Sequence, residues 1–146
     1  MRAVITLLAS LCVAVPCLSG DSLTPAGRWS GNAKFTSSVF GADDPVFFGE
    51  FDIRVDLTIY GDVAGSAPEN QCVFTGKATP VSPGSSVAAL ALTVSGCANP
   101  GYNGRYEGRM TPTSSERANF QVTSVNFDRA LAGAARRTSI ASSLRR

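Results

Sequence analysis

The sequence predicts an all-β domain built as an antiparallel up-and-down meander, and two observations carry this prediction. Apolar and polar side chains alternate with a period of two over several stretches, as strands with one buried face require. Turn-forming Gly, Pro, Ser and Asn residues separate these stretches, and none of the body shows a helical period. We infer about six strands that close into a small barrel, and a two-layer β-sandwich fits the same pattern.

Composition divides the chain into three segments. Residues 1–20 hold one basic residue and a short apolar run, which is the pattern of a signal peptide. Lipid attachment at Cys12 or Cys17 is the alternative. Residues 21–130 are predicted to form a single β domain, and residues 131–146, rich in Ala, Ser and Arg, to be a basic, disordered tail. We therefore expect a periplasmic or secreted protein, or else a membrane-anchored lipoprotein.

The first two predicted strands show the clearest alternation. In residues 27–35, Trp29 and every second residue are apolar or glycine, with polar residues between them. Residues 47–60 repeat this pattern, with Phe51 on the apolar face. A strand of that length has to bend, and Gly49 is the position where we expect the bend.

The next two strands form a hairpin that ends in the only two cysteines outside the predicted signal peptide, Cys72 and Cys97. A turn at residues 83–86 sets them directly opposite each other, within reach of a disulfide. The apolar pattern requires a register shifted by one residue. A bulge at Ser95 and Gly96 reconciles the two, and the exported compartment favours the oxidised pair.

The last two predicted strands follow the hairpin. Residues 102–110 alternate tyrosine, glycine and methionine with charged or amide residues, and Tyr106 lies on the aromatic face. The glycines on that face allow a sharp bend or a close neighbour, and they would help to form a cavity. Residues 117–127 change phase near Thr123, where we expect a bulge. Residues 61–70 are predicted as a polar loop.

The residue types exclude several chemistries. The chain contains no histidine, so Ser-His-Asp and Cys-His catalysis and the usual zinc sites are excluded. We expect no enzymatic activity, no catalytic residue, no metal and no cofactor. Asp43, Asp44, Glu50, Asp52 and Asp56 are interpreted as a solvated surface rather than a calcium site or an acid–base pair. The tyrosines and arginines of residues 102–109 point to opposite faces, which argues against a nucleic-acid partner.

The Gly-Arg-Trp at residues 27–29 resembles the G-x-W motif on the first strand of lipocalins and their avidin-like relatives, the calycin group of small β-barrels. The resemblance implies a barrel that binds small apolar ligands. It also implies that Trp29 closes the base beside an arginine of the last strand, here Arg117 or Arg129. The lipocalin T-D-Y motif has no counterpart, and a single Trp cannot form the tryptophan-rich biotin site of avidins.

Three functional hypotheses follow. The first is an exported binding protein whose small apolar ligand contacts Trp29, Phe51 and Tyr106. The second is a protein-binding module, such as a periplasmic or secreted hydrolase inhibitor, that acts through the loops at residues 41–45 and 61–70. The third is a cell-envelope structural protein whose basic tail contacts anionic envelope components.

Overall fold

The structure, a computed structural model, describes residues 23–39, 46–125, 128–129 and 135–146. Strands account for most of these residues. The strands are β1 (Gly27–Val39), β2 (Val46–Leu57), β3 (Asp62–Ala67), β4 (Cys72–Pro80), β5 (Ala88–Ser95), β6 (Gly104–Ser114), β7 (Arg117–Ser124), β8 (Asp128–Arg129) and β9 (Ala135–Arg145). Short 3₁₀ turns at Pro68–Asn70 and Pro100–Tyr102 precede β4 and β6.

The strands form one closed antiparallel barrel. Sequential neighbours pair from β1 to β7, and β9 then pairs with both β7 and β1. The two-residue β8 adds only a short edge on β9. The antiparallel meander and its closure are therefore confirmed, because a single sheet pairs its first strand with its last instead of packing as two layers. The predicted number of about six strands is wrong, since eight strands make up the barrel wall.

One of the two strands that the sequence did not predict is β3, which lies within the predicted polar loop at residues 61–70. Leu57 ends β2, and the chain turns and returns as β3, which pairs with both β2 and β4. Val63 and Ala67 face the core, but Gly65 stands between them. Such small side chains give a weak alternation, although they fit the crowded wall of a barrel.

The other missing strand is β9, in the segment predicted to be a disordered tail. That prediction is wrong for Ala135–Arg145. Ile140 and Leu144 are fully buried, while Arg137 and Arg145 point outward. The alternation is present in the sequence, but serine and alanine occupy so many of its positions that its amplitude is low.

The hairpin of β4 and β5 follows the register that the apolar pattern required. Phe74 lies opposite Val94, and both are buried. The predicted four-residue turn is one residue too short. Within the loop at residues 81–87, the amide of Val81 donates to the carbonyl of Val87 at 3.1 Å, so the turn enclosed by this bond spans residues 82–86.

The predicted disulfide between Cys72 and Cys97 is present, with the two Cα atoms 4.1 Å apart. The regular ladder stops just before it, at the pair of Val73 and Ser95. Beyond that pair Gly96 has a φ of 71°, and Gln71, the residue just before β4, has a φ of 58°. The irregularity predicted at Gly96 is therefore found, but Gln71 shares it.

Bulky side chains fill the barrel, and close approach of the strands explains its glycines. The largest fully buried side chains include Tyr106, Phe35, Phe74, Phe120, Ile53, Met110, Ile140 and Leu144. A Cβ atom at Gly108 would collide with the carbonyl oxygen of Gln121, and one at Gly76 with that of Ala91. Glycine at these positions lets neighbouring backbones approach closely, as a small barrel requires, rather than opening a cavity.

Two further predictions concern strand irregularities. The pairing of β1 with β2 shifts by one residue beside Gly49, where the bend was expected. The predicted bulge near Thr123 is not found, because the pairing of β7 with β6 stays regular through Ser124 and Val125 remains exposed. Phe127 lies outside the described residues. The predicted signal peptide, with Cys12 and Cys17, and the loop at residues 41–45 also lie outside the described residues. In the part of the chain that is described, no helix has the length and hydropathy needed to cross a bilayer.

Candidate functional site

The barrel has two chemically different ends. The first, called the Trp29 end, is formed by residues 23–26, the turn at residues 58–61 and the loop at residues 81–87, with the start of β1 and the end of β9. The second, called the Tyr102 end, holds the Cys72–Cys97 disulfide and the Pro100–Tyr102 turn.

Trp29 seals the first end from inside. Only 2% of the residue is exposed, and its indole Nε1 donates a hydrogen bond to the carbonyl of Pro25 at 2.8 Å. The guanidinium carbon of Arg146 lies 4.6 Å from the centre of the ring, within the range of a cation–π interaction. Arg146 thus takes the position beside the tryptophan that the G-x-W resemblance assigned to Arg117 or Arg129.

Arg146 also ties the chain before β1 to the end of β9. Its Nη2 donates to the carbonyl oxygen of Thr24 at 2.9 Å and to that of Ala26 at 2.5 Å. These bonds hold the short segment that precedes β1 across the end of the barrel. Charge-assisted hydrogen bonds of this kind are among the stronger polar contacts in proteins.

A cleft of about 570 Å³ lies on the outer side of this seal. Its floor includes the buried residues Leu57, Ala78 and Ala88. Its walls come from the segment before β1 and from the two neighbouring turns, and comprise Leu23, Thr24, Pro25, Ala26, Ile59, Tyr60, Gly61, Thr79, Pro80, Gly84 and Ser85. The lining is mainly apolar, and none of its side chains carries a formal charge.

The turn between β2 and β3 places two large apolar side chains in solvent beside this cleft. Ile59 is 81% exposed and Tyr60 is 85% exposed. The turn is held by hydrogen bonds from the Gly61 amide to the Thr58 carbonyl at 3.0 Å and from the Ala78 amide to the Gly61 carbonyl at 2.7 Å. The two side chains are therefore presented by a fixed turn.

The alternation of residues 47–60 predicts that Ile59 is buried, because Ile59 keeps the phase of Leu57. That prediction is wrong, since β2 ends at Leu57 and Ile59 lies exposed in the turn. The available signal was Gly61, which has a φ of 82°. A glycine followed by Asp62 is a turn signal, and it would have moved the strand end back to Leu57.

Aromatic side chains fill the Tyr102 end. The ring of Phe35 meets that of Phe51 at a centroid distance of 5.2 Å and that of Tyr102 at 5.1 Å, both edge to face. The hydroxyl of Tyr106 donates to the carbonyl of Tyr102 at 2.8 Å. Burial raises the pKa of the Tyr102 phenol above its ordinary value, as expected for an acid whose charged form is poorly solvated.

The three predicted ligand contacts therefore do not form one site. Trp29 pairs with Val55, whereas Phe51 pairs with Ala33, four residues further along β1. At about 3.3 Å per residue along a β-strand, Trp29 and Phe51 are about 13 Å apart along the direction of β1. Phe51 and Tyr106 belong to the aromatic cluster of the Tyr102 end, and Trp29 lies beneath the cleft without lining it.

Polar groups are also buried near the Tyr102 end. Ser37 and Thr138 face each other across β1 and β9, and both are buried. Asn70 is 5% exposed, and its Nδ2 has no hydrogen-bond partner among the described residues. A buried hydrogen-bond donor without an acceptor lowers stability. The Tyr102 end therefore contains one buried polar group whose hydrogen bonding is incomplete.

The described carboxylates do not form an acid–base or metal centre. Glu50, Asp52 and Asp56 lie on the exposed face of β2, as the interpretation of a solvated surface expected. Asp56 lies 3.7 Å from Arg28, and Glu50 lies 3.7 Å from Lys34. Among the residues that the structure describes, no group of three potential His, Cys, Asp or Glu ligands comes together. Asp43 and Asp44 are outside the described ranges.

No protein-family model matches the chain, and no curated protein or solved structure matches it either. The closed antiparallel barrel agrees in general kind with the calycin barrels that the G-x-W motif resembles. The candidate site is therefore defined by its geometry alone. It is an apolar cleft above Trp29, which closes the barrel end, and two exposed apolar side chains on a fixed turn border it.

Proposed function

We propose that the protein is a non-enzymatic, exported binding protein that takes a small apolar molecule in the cleft at the Trp29 end. The observation that carries the proposal is the cleft itself, whose volume of about 570 Å³ falls within the range of small-molecule sites. Its apolar floor and walls would remove the surface of an apolar ligand from water, which is the main favourable contribution to binding.

The cleft is a better ligand site than the barrel interior. The interior is occupied by side chains such as Phe74, Phe120 and Met110, which are almost completely buried. A ligand there would have to displace well-packed groups, at a cost similar to disrupting a core. A lipocalin-like relationship remains part of the proposal, with the ligand moved from the interior to the end of the barrel.

The Cys72–Cys97 disulfide supports export to the periplasm or the medium, because such bonds persist in oxidising compartments. The hydrolase-inhibitor hypothesis stays a prediction. Of its two loops, residues 61–70 are largely strand β3, and residues 41–45 are not described.

The test is titration of the purified protein with N-phenyl-1-naphthylamine, an uncharged apolar probe whose fluorescence rises when it leaves water. The double variant Ile59→Ser/Tyr60→Ser removes the exposed wall of the cleft. Each side chain is more than four-fifths exposed, so the fold should be retained. We expect the dissociation constant to rise about tenfold, because a probe that loses roughly 50 Å² of apolar contact loses about 1.4 kcal/mol of binding free energy.

The matched control is Val73→Ser. Val73 is 47% exposed and lies on the outer face of β4 beside the disulfide, away from the cleft. Unchanged probe affinity in this variant and weaker affinity in the double variant would support the proposal. No saturable binding by the unmodified protein, or equal binding by all three proteins, would overturn it.

A further inference from the structure

We propose that the Trp29 end is also a docking surface for an anionic lipid bilayer, in which Ile59 and Tyr60 enter the interface and Arg117 and Arg145 contact lipid phosphates. This inference goes beyond the binding of a small ligand and does not depend on it. It rests on where the described apolar and cationic side chains lie in the fold.

The first observation is the concentration of exposed apolar side chains at this end. Ile59 and Tyr60 project from the fixed turn, and Val81, 47% exposed, begins the neighbouring loop. Among the residues whose side-chain exposure is described, the two other exposed large apolar side chains lie at the Tyr102 end, Val73 on β4 and Val125 just after β7. An aromatic and an aliphatic side chain together at a turn tip suit the boundary between headgroups and acyl chains.

The second observation is a pair of like charges on adjacent strands. Arg117 of β7 lies directly opposite Arg145 of β9, an arrangement that destabilises a sheet. Both side chains are exposed, and neither forms an ion pair with a described residue. An anion that contacts both guanidinium groups would relieve the repulsion, and arginine binds phosphate oxygens in a bidentate manner.

The remaining charges leave this end cationic. Arg28 is paired with Asp56, and Lys77 is paired with Asp62. Apart from these pairs, the described strand ends and turns at this end carry Arg117, Arg145 and Arg146 and one acidic side chain, that of Glu116. An anionic surface is therefore complementary to the cationic residues that lie at the same end of the barrel as the apolar tip.

The size of the apolar feature favours a bilayer over a protein partner. A stable protein interface needs about 800 Å² on each side, whereas the fixed turn presents two fully projecting side chains. Insertion into a bilayer interface needs only a small apolar tip when cationic groups nearby add attraction to anionic headgroups.

The test is co-sedimentation of the unmodified protein with sucrose-loaded vesicles. One set contains phosphatidylcholine and phosphatidylglycerol in equal amounts, and the other contains phosphatidylcholine alone. We expect binding to the anionic set at low ionic strength, a marked decrease at high salt, and little binding to the neutral set.

Two double variants test the two parts of the surface. Arg117→Gln/Arg145→Gln should weaken vesicle binding by on the order of tenfold or more, since each cationic residue near an anionic bilayer contributes a factor of about five. Ile59→Ser/Tyr60→Ser should weaken it as well. The matched control is Arg105→Gln/Arg109→Gln, which removes the same charge from exposed positions of β6 away from this end and should retain most of the binding.

The results separate this inference from the ligand proposal. If Arg117→Gln/Arg145→Gln loses vesicle binding and still binds the naphthylamine probe, the docking surface is supported. Failure of the unmodified protein to bind anionic vesicles would overturn the inference and leave the ligand proposal intact. Equal losses in the Arg117/Arg145 and Arg105/Arg109 variants would also overturn it, because the attraction would then be a property of net charge alone.

Discussion

The Trp29 end and the Tyr102 end of the barrel are closed by different kinds of interaction. At the first, an indole ring, an arginine and main-chain carbonyls hold the chain before β1 over the end of β9. At the second, the Cys72–Cys97 bond and edge-to-face aromatic contacts hold the Pro100–Tyr102 turn. The Trp29 end is closed by non-covalent contacts that lie beneath an apolar cleft. The Tyr102 end is closed by a disulfide, and aromatic side chains fill the barrel there.

Because of this difference, only the Trp29 end has room for a binding site outside the contacts that close the barrel. At the Trp29 end the seal lies below the surface, so the turns above it are available to form a cleft and an exposed tip. At the Tyr102 end the aromatic rings occupy the barrel themselves, and Tyr102 is buried. A ligand could enter there only by displacing Tyr102 from a position that the disulfide helps to fix.

The largest effect should come from removing the non-covalent seal. Trp29→Ala deletes a buried ring together with its contacts to Pro25 and Arg146. Such truncations lower the free energy of unfolding by about 3–5 kcal/mol, which urea denaturation would measure. The control Trp29→Phe retains much of the apolar volume and should lower it less. Equal stability of Trp29→Ala and the unmodified protein would mean that the Trp29 end is not a seal.

Removing the covalent seal should have a somewhat smaller effect. The disulfide closes a loop with a sequence separation of 25 residues, and loss of such a crosslink costs about 3 kcal/mol in the chain-entropy model. The variant Cys72→Ala/Cys97→Ala should unfold at lower urea concentration and show faster amide exchange in residues 98–103. Its affinity for the naphthylamine probe should be unchanged, because the cleft is at the other end. A lower affinity would show that the two ends are coupled.

The smallest of these effects should come from Arg146→Gln. It removes the cation over Trp29 and two charge-assisted hydrogen bonds to main-chain carbonyls, but all of these contacts are partly solvated. We expect a loss of about 1–2 kcal/mol, measured by urea denaturation. Arg109→Gln, an exposed arginine of β6, is the matched control and should change stability by less than about 0.5 kcal/mol. An equal loss of unfolding free energy in both variants would show that Arg146 contributes no more to stability than an ordinary exposed arginine.

The parts of the fold that the sequence predicts well are those with large side chains. Strands β1, β4 and β6 alternate bulky apolar residues such as Phe35, Phe74 and Tyr106 with polar ones, so their buried faces are evident. In β3 and β9 the inward positions include Gly65 and Ser142, and their alternation has too little amplitude to be recognised. Closure of the barrel requires these two strands, and that is why the strand number was wrong.

The site was harder to predict than the fold. The alternation predicts that the aromatic side chains of Trp29, Phe51 and Tyr106 point inward, and their burial or partial burial confirms this. Alternation along a strand shows which side chains point inward. It does not specify the register between neighbouring strands, and this register decides which inward side chains lie close together. The exposed tip was missed because Ile59 has the periodicity of a buried residue, and only its position in the turn places it in solvent.

The closing strand β9 has a consequence for the order of folding. Its contacts with β1 join distant parts of the chain, as in the bond from the Ser142 hydroxyl to the Asn32 carbonyl across 110 residues. Contacts of such sequence separation are slow to form. Until β9 is in place, β1 and β7 are two unpaired sheet edges, and exposed edges promote self-association. Pairing of β9 with both strands is therefore the step that removes these two edges and protects the chain from aggregation.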